Sequence, residues 1–145
     1  MPNIQVTVCE GFDDACKTRL IADATGATVA ALDAPRESVR IWLCEIAARD
    51  FAVGGMACAG GARPQAAAGA IVQAVLIAGR SDAQKARLIE GLTASAAGAL
   101  AIAREHVRVM ILDIPNTDFG IGGDTAASLG RGIGRAPQTS GSQAA

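Results

Sequence analysis

The sequence predicts an α/β fold of the α+β kind: two tandem β-α-β units sharing one four-stranded sheet, with both helices on one face. Three observations predict it. The chain repeats itself at an offset of 68 residues. Each copy runs from an apolar period-2 stretch through a helical-period stretch to a second apolar stretch. Paired glycines close both copies at the same place.

Laying residues 2–55 on 70–123 needs no gap and gives 20 identities in 54 positions. They include Gln5/Gln73, Gly11/Gly79, Lys17/Lys85, Arg40/Arg108, Phe51/Phe119, Gly54/Gly122 and Gly55/Gly123. Only two of the 20 are alanine pairs, so the 32 alanines of the chain do not create the match. Self-similarity at a fixed spacing marks a duplicated structural unit.

In each copy the elements follow in order. Residues 3–9 alternate, with Ile4, Val6 and Val8 on one face of a strand. Residues 71–77 repeat that strand in a more apolar form, as a strand buried on both faces would read. Gly11 and Gly79 turn the chain. The first helix begins near Asp13 and carries Leu20, Ile21, Ala24, Ala27 and Ala31 as its apolar stripe. The second opens on Ser81-Asp-Ala-Gln84, a capping box, and carries Leu88, Ile89, Leu92, Ala96 and Leu100. Second strands follow at Val39–Ile46 and Val107–Ile114, the first just after Pro35, where a helix is expected to have stopped. Gly-Ile-Gly-Gly at 120–123 follows a strand without opening a helix, so it reads as a hairpin and not as a phosphate loop. The organisation expected is a first unit at 2–55, a small-residue linker at 56–69, a second unit at 70–125 and a flexible tail at 126–145.

Composition bounds the partners. Half of the 145 residues are apolar, but 32 are Ala and 17 Gly, and only Phe12, Trp42, Phe51 and Phe119 are aromatic. Small side chains bury little surface. With two helices on one face of the sheet the other is bare, so burial between subunits is expected. A net charge of −1 without a basic block argues against nucleic acid as a main partner. No apolar run is long enough for a transmembrane helix, and the first residues lack the pattern of a signal peptide. A cytoplasmic protein with reduced thiols is expected. Cys9, Cys16, Cys44 and Cys58 have neither C-x-x-C pairing nor a histidine at zinc spacing; they read as packing residues, Cys16 exposed on its helix.

Pro2 is the residue best placed for chemistry. Removal of Met1 would leave it a free secondary amine, and an α-amino group in a desolvated, cationic setting titrates near neutrality. Such a group serves as general acid, general base or nucleophile. Arg40 lies on an apolar strand and shares a face with Trp42 and Cys44. A guanidinium there must be paired or face a ligand. An ion pair with Glu37, Glu45 or Asp113 is the alternative; parity puts Glu45 on the opposite face. His106 has no Ser or Cys in a catalytic arrangement and reads as a strand-end residue.

Pro2-Asn-Ile-Gln-Val-Thr-Val-Cys-Glu-Gly11, Ser38-Val-Arg40 and Phe51-Ala-Val-Gly-Gly55 resemble the tautomerase superfamily, and within it 4-oxalocrotonate tautomerase. Gly79-Arg-Ser-Asp-Ala-Gln-Lys85, Val107-Arg-Val109 and Asp118-Phe-Gly-Ile-Gly-Gly123 are closer still. The likeness extends from Pro2 to Gly123, in the manner of fused, double-length members. It implies a tautomerase-like (macrophage migration inhibitory factor-like) fold, three chains in place of a hexamer, and an isomerase acting in aromatic compound degradation. The expected substrate is a small carboxylate such as 2-hydroxymuconate, with no metal or organic cofactor. By the resemblance Pro2 matches the catalytic proline, and Arg40 and Arg108 match the arginine that binds the substrate carboxylate and polarises the 2-oxo group. Arg80 matches the arginine for the far carboxylate, and Phe51 and Phe119 the apolar wall.

Two departures are informative. Phe12 stands where the first copy would hold that far-carboxylate arginine, and Ala70 stands at the proline position of the second. A composite site of Pro2 with Arg80 from another half or subunit is intact, whereas a site around Ala70 lacks its base. Two other readings remain. Dehalogenation of a 3-haloacrylate, or decarboxylation of an oxo acid, belongs to the same superfamily; hydration of an alkene needs a carboxylate to activate water, for which Glu45 and Asp113 are the strand candidates. The non-enzyme reading is a weakly active scaffold or relic.

Overall fold

The computed structural model describes residues 1–132. Strand β1 (Asn3–Cys9) leads through Gly11 to helix α1 (Asp14–Leu32) and strand β2 (Arg40–Ile46). A hairpin of β3 (Ala52–Val53) and β4 (Met56–Ala57) and a short helix α2 (Pro64–Ala68) follow. The second copy repeats the plan with β5 (Ala70–Ile77), α3 (Asp82–Leu100), β6 (Val107–Ile114) and the hairpin β7 (Gly120–Ile121) and β8 (Asp124–Thr125). Both helices start where the sequence places their caps. The Asp13 carboxylate accepts from the Cys16 N–H at 2.8 Å, and Ser81 and Gln84 close a reciprocal capping box. Both end on a left-handed residue at equivalent positions, Asp33 and Ala101, each with φ 51°.

The main sheet has the order β2-β1-β5-β6. Within each copy the strands are parallel; the copies meet along β1 and β5, which are antiparallel, with Gln5 opposite Gln73. Those glutamines are repeat equivalents, so the pseudo-twofold axis passes through their pair. Antiparallel pairing puts the start of β1 beside the end of β5, and the start of β5 beside the end of β1.

Strand alternation divides the faces. Ile4, Val6, Val8, Ala70, Val72, Ala74 and Leu76 turn to the helices and are buried against Leu20, Ala24, Leu88, Leu92, Ala96 and Leu100. The alanine-rich composition has a use here. A Cβ at Gly91 would lie 2.9 Å from the Ala27 Cβ, so α1 and α3 approach where only small residues fit. The row Trp42-Gln5-Gln73-Met110 crosses the opposite face. Trp42 and Met110 are each 44 % exposed and Leu112 46 %. The uncovered sheet face is therefore present and apolar. The more apolar β5 is an inner strand, but in the single chain only its helix side is covered, and Gln73 is exposed.

Two stretches differ from expectation. The linker begins as the second strand of the β3–β4 hairpin, whose turn falls at the end of the first unit, because Gly54 and Gly55 both take positive φ, as a two-residue turn between twisted strands requires. It also contains α2, opened by Pro64 and ended at Gly69. The tail expected from residue 126 is packed in its first part: Ala126 is fully buried, and its N–H donates to the Phe119 carbonyl at 2.7 Å. This interaction extends the β7–β8 hairpin, which alternation could not show in so short a segment. Residues 133–145 of the tail lie outside the described residues.

Candidate active site

Pro2 stands just before β1 and is buried; its carbonyl accepts the Arg40 N–H at 3.0 Å, where β2 begins. The antiparallel neighbour β5 ends beside it at Ile77, and the turn at Gly79 delivers Arg80 to the same end of the sheet. Arg80 is 6 % exposed, and its guanidinium donates to the Leu32 carbonyl at the C-terminus of α1, a favourable end of the helix for a cation. Phe119 is 8 % exposed and packs with Ile77 and Ala126, with Met1, Ile114 and Ile121 against them. The amine of Met1, which precedes Pro2, is pushed down from 8.0 to about 6, first by burial and then by the Arg80 and Arg131 guanidinium charges. A cavity of about 290 Å³ adjoins this end, lined by Asn3, Trp42, Val75, Ile114, Asp118 and Phe119 among others.

The opposite end is built from equivalent positions with different residues. Ala70 opens β5, and Phe12, at the position equivalent to Arg80, is buried in the main core with it. Phe51 and Arg108 line a second cavity of about 380 Å³ there, with Ile71, Glu105 and His106. Of the residues singled out in the sequence, Pro2, Arg80 and Phe119 lie at the same end of the sheet, with Met1 beside Arg80 and Phe119 and with Arg40 hydrogen-bonded to Pro2 from the adjacent strand. Phe51 and Arg108 lie at the Ala70 end. The complementary halves meet within a single chain.

Neither strand carboxylate is paired with Arg40. Glu45 is bound by Lys17 at 3.1 Å, and Asp113 by the equivalent Lys85. Arg40 instead donates to the Glu37 backbone carbonyl at 2.8 Å, and Arg108 repeats this with Glu105. Glu45, paired with Val8, lies at the far end of β1 from Pro2, whereas Asp113, paired with Leu76, lies at the Pro2 end; both are engaged with helix lysines. The residue the sequence reading missed is Arg131, whose Nη1 donates to the Met1 sulfur at 3.0 Å. Its one signal was the second Gly-Gly turn, whose returning strand Asp124–Thr125 leads the chain on past residue 125.

The sequence family described as Tautomerase enzyme matches residues 2–59 and again residues 71–128. The chain belongs to the tautomerase family. The 2-hydroxymuconate tautomerase of Pseudomonas sp. (strain CF600) is 41 % identical over 61 residues, 42 % of this chain and 97 % of that protein. A native fused 4-OT superposes with a TM-score of 0.82 at 49 % identity, covering 89 % of this chain and 99 % of that one. A fused 4-OT solved as an asymmetric trimer gives 0.80 at 45 % identity, with the same coverage. This tautomerase is an isomerase by class, and its two family matches fall on the two β-α-β copies.

Proposed function

We propose that this tautomerase interconverts the 2-hydroxydienoate and 2-oxo-enoate forms of a small dicarboxylate such as 2-hydroxymuconate, with Pro2 as the proton carrier once Met1 is removed. The Pro2 nitrogen lone pair takes the proton of the 2-hydroxyl. As that O–H bond breaks, the C=O bond forms and the double bonds shift. The ammonium then gives its proton to the remote carbon, so the reaction is redox-neutral and needs no co-reactant. A buried amine beside fixed cations favours the free base at neutral pH, which suits this exchange.

Arg40, or Arg108 of a neighbouring chain, holds the near carboxylate and steadies the negative charge that grows on the 2-oxygen. Arg80 holds the far carboxylate through a planar fork, and Phe119 keeps water out at the Pro2 end, while Phe51 holds the equivalent place at the Ala70 end. A homotrimer stacked through the apolar sheet faces is the assembly this reading requires.

The observation that supports the reading is that the N-terminus leading into Pro2 lies with Arg80 and Phe119, through Met1, at one end of the sheet, set against Ala70 with Phe12 at the other end. The test joins intact mass with ultraviolet turnover of 2-hydroxymuconate. A mass lacking Met1, and a Pro2→Ala variant that keeps its assembly but loses at least about a hundredfold in kcat, are expected. Retained Met1, or undiminished turnover in Pro2→Ala, refutes the mechanism.

A further inference from the structure

Resting on that reading, we propose that Arg131 is a second carboxylate-binding guanidinium of the Pro2 site, acting with Arg80 on the far end of a dicarboxylate and uncovered when Met1 leaves.

The placement is held by the backbone. The Arg131 N–H donates to the Ala126 carbonyl at 2.8 Å, and the Arg131 carbonyl accepts from Asn116 Nδ2 at 3.2 Å. Ala126 in turn belongs to the apolar cluster of Phe119 and Ile77. The side chain is thereby aimed at Met1 from a segment that is fixed whatever its own tip contacts.

The tip is poorly served there. Its Nε is buried without a hydrogen-bond partner, and Nη1 is given only a thioether, a weak acceptor. Among the described residues no carboxylate forms an ion pair with Arg131. A guanidinium with a buried, unused donor is unfavourable unless an anion completes it. Arg80 is differently engaged, since it donates to Leu32. Met1 fills the space between Arg131 and the Phe119 cluster, and its removal takes away the thioether and opens that space. Nε and one Nη then present a side-on fork, a geometry suited to a carboxylate.

The experiment compares the full chain, processed at Met1, with Arg131→Gln and Arg131→Lys on 2-hydroxymuconate and on the monocarboxylate 2-hydroxy-2,4-pentadienoate. For Arg131→Gln, kcat/KM on the dicarboxylate falls roughly 10- to 100-fold, carried mainly by KM. Turnover of the monocarboxylate stays within about twofold, and Arg131→Lys recovers part of the loss. Unchanged selectivity, or an equal loss on both substrates, overturns the proposal, the second result marking a structural role that a fall in Tm would also reveal. Calorimetric binding of muconate to Pro2→Ala, with and without Arg131→Gln, separates the two ideas. Weaker binding in the double variant supports Arg131 even where tautomerisation itself fails the Pro2 test, and equal binding overturns it.

Discussion

Arg80 donates to the Leu32 carbonyl and acts on the N-terminal amine, and replacing it tests the whole account of the site. Arg80→Met keeps the length and apolar stem while removing the charge and the hydrogen bond to the Leu32 carbonyl. Losing a charged donor on a buried acceptor costs about 1–3 kcal/mol, a tolerable share of a domain stability of roughly 5–15 kcal/mol. The variant therefore folds, with a lower Tm. At the site it loses one charge-assisted carboxylate contact, or about 10- to 100-fold in kcat/KM on a dicarboxylate. The amine responds as well. In the unprocessed chain burial is the first cause that lowers the Met1 amine, with Arg80 and Arg131 following, and the Pro2 amine left by processing would face the same two cations. Removing one of the two cations therefore raises the amine's pKa. The sign is fixed: with less positive charge nearby the ammonium is less disfavoured, the amine titrates higher, and the acidic limb of kcat/KM moves to higher pH. Arg80→Lys keeps the charge, so its limb stays in place while the carboxylate contact weakens. Initial rates across pH 5–9 read both effects. A limb that stays put in Arg80→Met, or moves to lower pH, refutes the claim that this guanidinium tunes the amine.

The remaining predictions follow from packing. Phe119→Ala opens the small cluster around Ile77 and Ala126, destabilises the protein by about 3 kcal/mol and admits water to the amine, so kcat falls at least about tenfold. Phe51→Ala, at the Ala70 end, leaves kcat within a few-fold, and steady-state rates of the two variants check the assignment of ends. Ala101→Gly relieves a left-handed residue at the end of α3 and raises stability by about 1 kcal/mol, or a few degrees in Tm. Gly69→Ala, with φ 78° and a Cβ that would lie 2.0 Å from the His106 carbonyl oxygen, disrupts the junction of α2 and β5, which calorimetry reads as a loss of several kcal/mol.

Most of the fold was legible because local chemistry announces it. Alternation gives β1, the Ser81–Gln84 box gives the start of α3, and the glycines at 120–123 give the second hairpin. The site was legible as a list of residues and a requirement: something must bring Pro2 to Arg80, from another half or from another subunit. That the partner half lies in the same chain depends on β1 pairing antiparallel with β5, a choice made by the global packing of two amphipathic layers and not by any local pattern. Arg131 escaped for a different reason. Its position rests on Ala126 filling a small gap and on backbone hydrogen bonds, and neither leaves a periodic trace in a stretch of Gly, Ser and Ala.

The duplication also explains why the two ends could diverge. Each end of the sheet draws its first strand from one copy and its turn and hairpin from the other, so a change in one copy is felt at both ends but in different roles. Phe12 replaces a buried cation with an apolar side chain, which suits an end where Ala70 offers no amine and an anion has no reaction to undergo. Arg80 stays where Pro2 does. The ion pairs Lys17–Glu45 and Lys85–Asp113, and the arginine contacts to Glu37 and Glu105, remain duplicated because they secure helix to strand and strand to turn in both copies. Symmetry thus persists in the groups that hold the layers together and is lost at the residues of the proposed site: at Pro2 against Ala70, and at Arg80 against Phe12.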